Sequence, residues 1–522
     1  MQLGPPVQVT NLTGGDRFSG WGTFDQLVDH SDPSLGTFPQ RFWYSTQFWR
    51  GSGSPVILMT PGEQAADDFN TTYTTDARLT GVFAQATGGA VVVLEHRYWG
   101  DSSPFEDLTA ENLAYLTLEN SVVDLTYFAR NFDAPFDSSG GSAPTEAPWI
   151  LSGGSYSGAL AGWTAALDPG TFWAYHGTSG VVEAVGDFWR YFVPVLEATP
   201  KNCSKDLVAA IDRVDDILLH GSDKEKQALK DKFGLGELLD ADFGGALEWG
   251  PWQWQSNDFA SFNYTGNTYY QFCDYIENAW PNSTSRIPDS RGVGASKALD
   301  GYAKWFKEVA IPGTCEQYGY NEFKGKTNTL CFQNLNASNP IFTDLSVRNS
   351  GNRQWNWMLC NEPFEFWQDG APKDQPSIVS RLVNSQYWTA QCAFWFPGSP
   401  GRYGIARGES AAAVNTRTGG WAAAAKTNAT ARLMYVNGER DPWREATVSA
   451  QSRPGGPLGS TEELPVWIVP GGFHCSDLYG DNWVFNSALR GIVREEIATV
   501  KKWVAEFHKE KSNKKRGVEW VA

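Results

Sequence analysis

Hydrophobic positions along this chain fall into short apolar runs separated by longer segments with helical spacing. Residues 55–60, Pro-Val-Ile-Leu-Met-Thr, and residues 90–94, Ala-Val-Val-Val-Leu, show no polar alternation. Runs of that length and texture predict strands buried on both faces, as in a parallel sheet. Between the second run and Pro148-Trp149-Ile150-Leu151, residues Leu118, Val122, Leu125 and Phe128 or Ala129 recur at helical spacing. The segment therefore predicts strand, helix, strand. Ile150-Leu151 runs into Gly153-Gly154-Ser155-Tyr156-Ser157-Gly158, and the small residues from Ala159 to Leu167 predict a helix packed close to the sheet. Leu433-Met434-Tyr435-Val436 and Val466-Trp467-Ile468-Val469 predict two late strands of the same sheet.

Between about 190 and 400 the texture changes to charged helical segments, such as Lys205 to Lys232, and to loops rich in Trp, Asn and Cys. No period recurs, so this is an insertion and not a repeat array. The expected organisation is α/β, with a first sheet segment over 1–190, a mostly helical insertion over 191–400 and a second sheet segment over 401–522. The stretch Ile492–Phe507 is amphipathic, and Lys509–Arg516 reads as a solvated basic end.

The turn at 153–158 carries the first candidate chemistry. A serine hydroxyl attacks only when a base takes its proton, and a strained strand-to-helix turn lifts it toward substrate. Gly153-Gly154-Ser155-Tyr156-Ser157 fits the Gly-X-Ser-X-Gly elbow, with Ser157 in the last glycine position. Read as structure alone, it is a glycine-rich turn. Of the six histidines, only His474 follows a late strand, in Pro470-Gly471-Gly472-Phe473-His474. The acid belongs between serine and histidine in the α/β-hydrolase order. Asp441, in Asn437-Gly438-Glu439-Arg440-Asp441-Pro442-Trp443, is the best placed; Glu439 competes, and Asp477 is a weaker alternative. An oxyanion hole would use the backbone N–H of Tyr156 and a second donor, Gly62 or Glu63, from the loop after the first apolar run.

Composition narrows the partners. A net charge of −17 argues against nucleic acid, which needs a basic surface. It suits a protein that works at low pH, where its carboxylates neutralise. No apolar stretch of about 18 residues predicts a membrane span, and Met1–Pro6 lack the basic start and apolar run of a signal peptide. Secretion is inferred instead from Asn-X-Ser/Thr sequons at Asn11, Asn70, Asn202, Asn263, Asn282, Asn336 and Asn428, each expected in an exposed loop. Seven cysteines include no Cys-X-X-Cys pair, so no metal site is expected. Local bridges Cys315–Cys331 and Cys360–Cys392 are expected, with Cys475 left over. The 24 tryptophans mostly supply core.

Four blocks in this order carry a family resemblance: Gly153–Gly158, Glu95-His96-Arg97-Tyr98-Trp99-Gly100, Asn437–Trp443 and His474. Over about residues 20–510 the chain resembles the serine peptidase family of lysosomal Pro-X carboxypeptidase, dipeptidyl peptidase II and the fungal acid prolyl endoproteases. Trp367-Gln368-Asp369-Gly370-Ala371-Pro372 and Phe473–Asp477 are most similar to the fungal prolyl endoprotease branch. The resemblance implies an α/β-hydrolase fold with a helical insertion over the active site, and nucleophile, acid and base at Ser155, Asp441 and His474. It also implies cleavage after proline in acid, without a cofactor, in a pocket to which Trp443 contributes. Glu95–Gly100 would then support the site, with His96 structural. A secreted esterase or lipase shares the same triad chemistry. A non-catalytic hydrolase-like binder and a Trp-rich carbohydrate-active protein are the readings from other classes, and fluorophosphonate labelling separates both from a serine enzyme.

Overall fold

A computed structural model describes residues 8–11, 17–69, 71–260, 267–398, 401, 403–422 and 432–519. The chain forms two compact units, one of Met1–Ala184, Ala413–Glu439 and Trp443–Ala522, the other of Val185–Ala412 with Arg440–Pro442.

The first unit is built on a sheet with nine strands among the described residues: β1 Gln8–Asn11, β2 Ser19–Leu27, β3 Thr37–Ser45, β4 Val56–Met59, β5 Ala90–Leu94, β6 Trp149–Gly154, β7 Ala174–Thr178, β8 Leu433–Gly438 and β9 Val466–Val469. Their order is β1-β2-β3-β5-β4-β6-β7-β8-β9. The first three pair antiparallel and β3 meets β5 antiparallel, whereas β5, β4, β6, β7, β8 and β9 run parallel. Helices α1 Leu79–Thr87, α2 Leu118–Asn131 and α3 Tyr156–Leu167 supply the crossovers between successive parallel strands. This is the α/β-hydrolase arrangement. Chain order reverses between β4 and β6, and in open parallel sheets ligands bind at the carboxyl ends of strands beside such a reversal.

The apolar runs form strands because burial on both faces leaves no room for polar alternation: every residue of β4 and β5 is buried. β2 was not legible as a strand. Its buried positions are Gly20, Gly22, Phe24 and Gln26, a set with no hydrophobic alternation. Gly20 is required there, since a Cβ would lie 2.4 Å from the Tyr44 hydroxyl.

Behind the sheet a buried charge cluster replaces hydrocarbon. The Arg97 guanidinium, fully buried, donates to Asp124 on α2 and to the carbonyls of Leu27, Val28 and Tyr115. Burial raises the Asp124 carboxyl pKa, but Arg97 outweighs it and holds the group below the usual carboxylate range. The last helix, Ser487–Glu519, continues through the basic stretch 509–516, and Lys509, Glu510 and Ser512 to Lys514 are exposed on it.

The second unit is helical, without a strand among its described residues. The charged stretch 205–232 is two helices, Lys201–His220 and Asp223–Phe233, separated by Gly221 and a Ser222–Glu225 capping box. Phe233, Phe272, Tyr302 and Phe306 are fully buried in edge-on pairs, for example Phe272–Tyr302 at 5.0 Å. Bridges Cys203–Cys273, Cys315–Cys331 and Cys360–Cys392 close this unit, and Cys475 is free and buried. Both expected local bridges are present.

Arg97→Met leaves Asp124 as a buried carboxylate without its main counter-charge, a loss of roughly 3–5 kcal/mol. The expected result is a thermal midpoint lowered by more than ~5 °C, with most of it recovered in Arg97→Met/Asp124→Leu. A single variant as stable as the parent would contradict this account of the cluster.

Candidate active site

At the end of β6 the chain turns sharply into α3, and Ser155 sits at the turn with φ +59° and ψ −127°. A non-glycine residue at positive φ is held only where its surroundings over-determine it. The Ser155 N–H donates to the Thr178 carbonyl at 2.9 Å, and the Ala159 N–H donates back to the Ser155 carbonyl at 3.0 Å. Close packing explains the glycines: a Cβ on Gly153 would lie 2.2 Å from the Ser157 carbonyl oxygen, and one on Gly158 would lie 2.7 Å from that of Thr178. Ser157 fits in the last glycine position of the elbow with its side chain buried. Ser155 itself is half-exposed.

The loop after β4 crosses the first turn of α3. Gly62 adopts φ +76°, and a Cβ there would lie 2.6 Å from the Ser157 hydroxyl and 3.3 Å from the Tyr156 ring. Gly62 therefore lies against the first turn of α3, whose N–H groups have no partner within the helix. The loop is held by Glu95, whose fully buried carboxylate accepts from the Ala66 N–H at 2.9 Å and is bridged by Arg41 at 2.6 and 2.8 Å. Burial raises the Glu63 carboxyl pKa, and the neighbouring His474 opposes that shift.

His96 stands under the elbow. Its Nε2 is 3.2 Å from the Tyr156 hydroxyl and its Nδ1 is 2.9 Å from the Arg97 carbonyl oxygen. Burial lowers its pKa to about 4, so the neutral ring persists in mild acid. Both ring nitrogens thus lie within hydrogen-bond distance of buried groups of the sheet unit.

His474 lies half-exposed in the loop after β9. The loop is tied at both ends. The Gly471 N–H donates to the Glu439 carboxylate at 2.7 Å, and the Cys475 N–H donates to the Ser179 hydroxyl at 2.9 Å. Because the Ser155 N–H is bonded to the Thr178 carbonyl, the Ser155 turn and the His474 loop are anchored on consecutive residues. The Trp443 ring lies 6.4 Å from the imidazole, centroid to centroid.

Asp441 is fully buried, in the short stretch Arg440–Pro442 that groups with the helical unit. Within that unit it adds to the burial that raises the Tyr191 phenol pKa. Both rivals are engaged elsewhere: Glu439 with Gly471, and Asp477 with the Thr178 hydroxyl and the His176 ring. Glu362, also buried in the helical unit, accepts from the Asn361 side-chain amide at 3.0 Å.

Sequence reasoning passed over Thr178, Ser179 and His176. β7 is buried throughout but reads Ala-Tyr-His-Gly-Thr, so no apolar run marks it. Of the sequons, Asn282 and Asn336 are exposed. Asn202 is corrected: it sits half-buried in the first turn of a helix, beside Glu277, and not in an exposed loop. Asn11 ends strand β1 and so is not in a loop, and Asn70, Asn263 and Asn428 lie outside the described residues.

The profile of the serine carboxypeptidase S28 family matches residues 26–487. The chain belongs to that family. It is a serine-type peptidase, and it is 40% identical to serine protease vicPa of Bipolaris victoriae (strain FI3), over 97% of this chain and 93% of that one. A probable extracellular serine carboxypeptidase of Arthroderma benhamiae is 29% identical, over 90% of this chain and 64% of that one. The thymus-specific serine protease of Mus musculus is 25% identical, over 94% and 89%. Among solved structures, an alpha/beta hydrolase from Penicillium sp. sh18 is 13% identical and covers 93% of this chain and 99% of that one, with a TM-score of 0.31.

Gly62→Ala adds a methyl group against the Ser157 hydroxyl at a φ that only glycine adopts freely. It is expected to lower kcat by roughly ten- to a hundredfold, as displacement of one oxyanion donor does, with KM changed less. Unaltered kcat in the folded variant would remove this loop from the catalytic site.

Proposed function

We propose that this S28 peptidase is a secreted, proline-directed serine endoprotease that works in acid. Ser155 is its nucleophile, His474 its base and Asp441 the acid that orients the base. The observation that carries the reading is the common anchorage of the Ser155 elbow and the His474 loop on Thr178 and Ser179. Asp441 is preferred because it is buried while Glu439 and Asp477 hold backbone and loop contacts.

In this scheme Ser155 Oγ loses its proton to His474 as it attacks the carbonyl carbon of the bond after proline. The developing oxyanion faces the Tyr156 N–H and a backbone N–H of Gly62 or Glu63. His474 then protonates the leaving amine, and water enters to release the acyl group from Ser155. Proline has no N–H to satisfy, so the flat apolar face of Trp443 suits its ring. Secretion is supported by three disulfides, by the exposed sequons Asn282 and Asn336, and by the relative named as extracellular.

Acid operation is supported by buried carboxyls in the helical unit. Burial is the leading cause in each case. It raises the pKa of Asp242 to about 7 and of Asp369 and Glu277 to about 8, and raises that of Glu248 well above the ordinary range. Neither Glu248 oxygen has a hydrogen-bond partner, so the neutral acid is the form this site tolerates. The folded pKa values exceed the unfolded ~4. Their stabilisation is therefore complete below about pH 4 and is lost as pH rises through about 7 to 8. His96 acts in the opposite sense, because a histidine pKa lowered to about 4 costs stability as pH falls below ~6.5.

Cleavage of one long peptide with internal prolines, compared with the same peptide blocked at either end and followed by mass spectrometry, separates the modes. Internal cleavage after proline is expected; action only on free carboxyl termini would make the enzyme a carboxypeptidase, and turnover of short-chain esters alone would make it an esterase. Ser155→Ala should be inactive though folded, and Asp441→Asn should lose roughly 10⁴-fold in kcat. If Glu439→Gln shows that loss instead, Glu439 is the acid. The thermal midpoint should be higher at pH 4.5 than at pH 8, and Glu248→Gln should flatten the difference. A midpoint that climbs toward pH 8 would count against acid adaptation.

A further inference from the structure

Directly below the site, one imidazole faces two carboxylates with almost no water. His176 on β7 and Glu496 on the last helix are fully buried, and Asp477, three residues beyond His474, is 1% exposed. His176 Nε2 lies 3.1 Å from a Glu496 oxygen and 3.4 Å from Asp477 Oδ2. Both carboxylates therefore stand within ion-pair distance of the one ring nitrogen. The other ring nitrogen is 2.9 Å from the Ser152 hydroxyl on β6, and Phe83 of α1 stands edge-on to the ring. No other charged side chain contacts the His176 ring among the described residues.

Asp477 Oδ1 accepts from the Thr178 hydroxyl, and the Asp477 carbonyl accepts from the Trp483 indole at 2.9 Å. Thr178 ends β7, and its carbonyl takes the Ser155 N–H. Ser179 follows at φ +47°, its N–H bonded to the Val436 carbonyl on β8 and its hydroxyl to the Cys475 N–H. The packing is tight: a Cβ on Gly154 would lie 3.0 Å from the Cys475 sulfur and 3.4 Å from the Thr178 methyl group.

We propose that Thr178 and Ser179, locked from below by the His176–Asp477–Glu496 ion cluster, are positioning residues that set the distance between the Ser155 hydroxyl and the His474 imidazole. The proposal rests on Ser155 and His474 being nucleophile and base. One dipeptide anchors both the elbow and the histidine loop, so a shift of either residue moves one reactive group against the other. The hydroxyl of Thr178 fixes the downstream side of the histidine loop and that of Ser179 fixes its backbone beside the imidazole. Burial works against charge on His176, but the two acids outweigh it and raise its pKa to about 9. Burial first, and then Asp477, raises the Glu496 pKa to about 7. Acid therefore favours the imidazolium of His176 and the protonated form of Glu496, and as pH rises through about 7 Glu496 loses its proton and adds a negative charge to the cluster.

The test compares Thr178→Val, Thr178→Ser, Ser179→Ala and Asp477→Asn in the full chain. It measures kcat and KM on a proline peptide, and the rate of fluorophosphonate acylation with the labelled peptide identified by mass spectrometry. A misplacement of about 1 Å between reacting groups costs ~10²-fold. Thr178→Val and Ser179→Ala are therefore expected to lower both kcat and acylation rate by ~10- to 100-fold at nearly constant KM, and Thr178→Ser to restore most of the loss. Asp477→Asn should lower kcat and change its pH dependence near neutrality. Labelling at Ser155 with rates within twofold of the parent in Thr178→Val and Ser179→Ala overturns the proposal alone. Labelling at another serine overturns the nucleophile assignment and the proposal with it. One equivalent of zinc in the purified protein, with activity lost to a chelator and restored by zinc, would put a metal where His176 is read as protonated and would overturn the ion cluster.

Discussion

Ser155 is held in a backbone conformation that costs on the order of 1–3 kcal/mol in an L-residue, and much of the sheet unit is arranged so that this conformation persists. The strand before it and the helix after it must approach closely, which is why Gly153 and Gly158 face backbone carbonyls with no space for a methyl group. The same closeness runs along α3, where a Cβ on Gly162 would lie 2.2 Å from the Tyr435 hydroxyl. β7 supplies the fixed point. Its last carbonyl receives the Ser155 N–H, so neither the elbow nor the histidine loop can drift without disturbing the sheet.

Support from the other side comes from three consecutive residues after β5. Glu95 holds Arg41 of β3 and the loop after β4, His96 meets the Tyr156 hydroxyl, and Arg97 gathers α2 with the end of β2. Each is a polar group in a dry place. Such groups are costly unless every donor and acceptor is met, and here meeting them joins elements far apart in the chain. The packing that excludes water also lowers the His96 pKa to about 4, leaving the ring neutral beneath the Ser155 turn in mild acid.

The helical unit solves a different problem. Its aromatic cluster and three bridges hold segments that carry many loops. Into this apolar interior it places Glu248 without any partner and Asp369 with one oxygen unmatched. Burial of such groups favours the protonated carboxyl over the carboxylate.

Several parts of this protein were legible from residue order alone. The apolar runs at 55–60 and 90–94, the helix through Leu118 and Phe128, the elbow at Ser155 and the late strand before His474 announce themselves through local patterns, because full burial and tight turns restrict residue type one position at a time. β2 and β7 did not, since their buried faces use Gly20, Gly22 and Gln26, or His176 and Thr178, whose fit depends on partners distant in sequence. Asp477 shows the difference most clearly. By sequence it was a weak candidate for the catalytic acid; folded, it meets His176 about three hundred residues away in the chain and anchors the loop that bears His474. Sequence by itself determined the fold class and brought Ser155 and His474 forward as candidates, since those follow from local sterics and strand order. Only the tertiary structure decided which polar residues are buried together, what holds each loop, and which carboxyls burial pushes toward the protonated form, because desolvation and pairing are properties of neighbours brought together by folding.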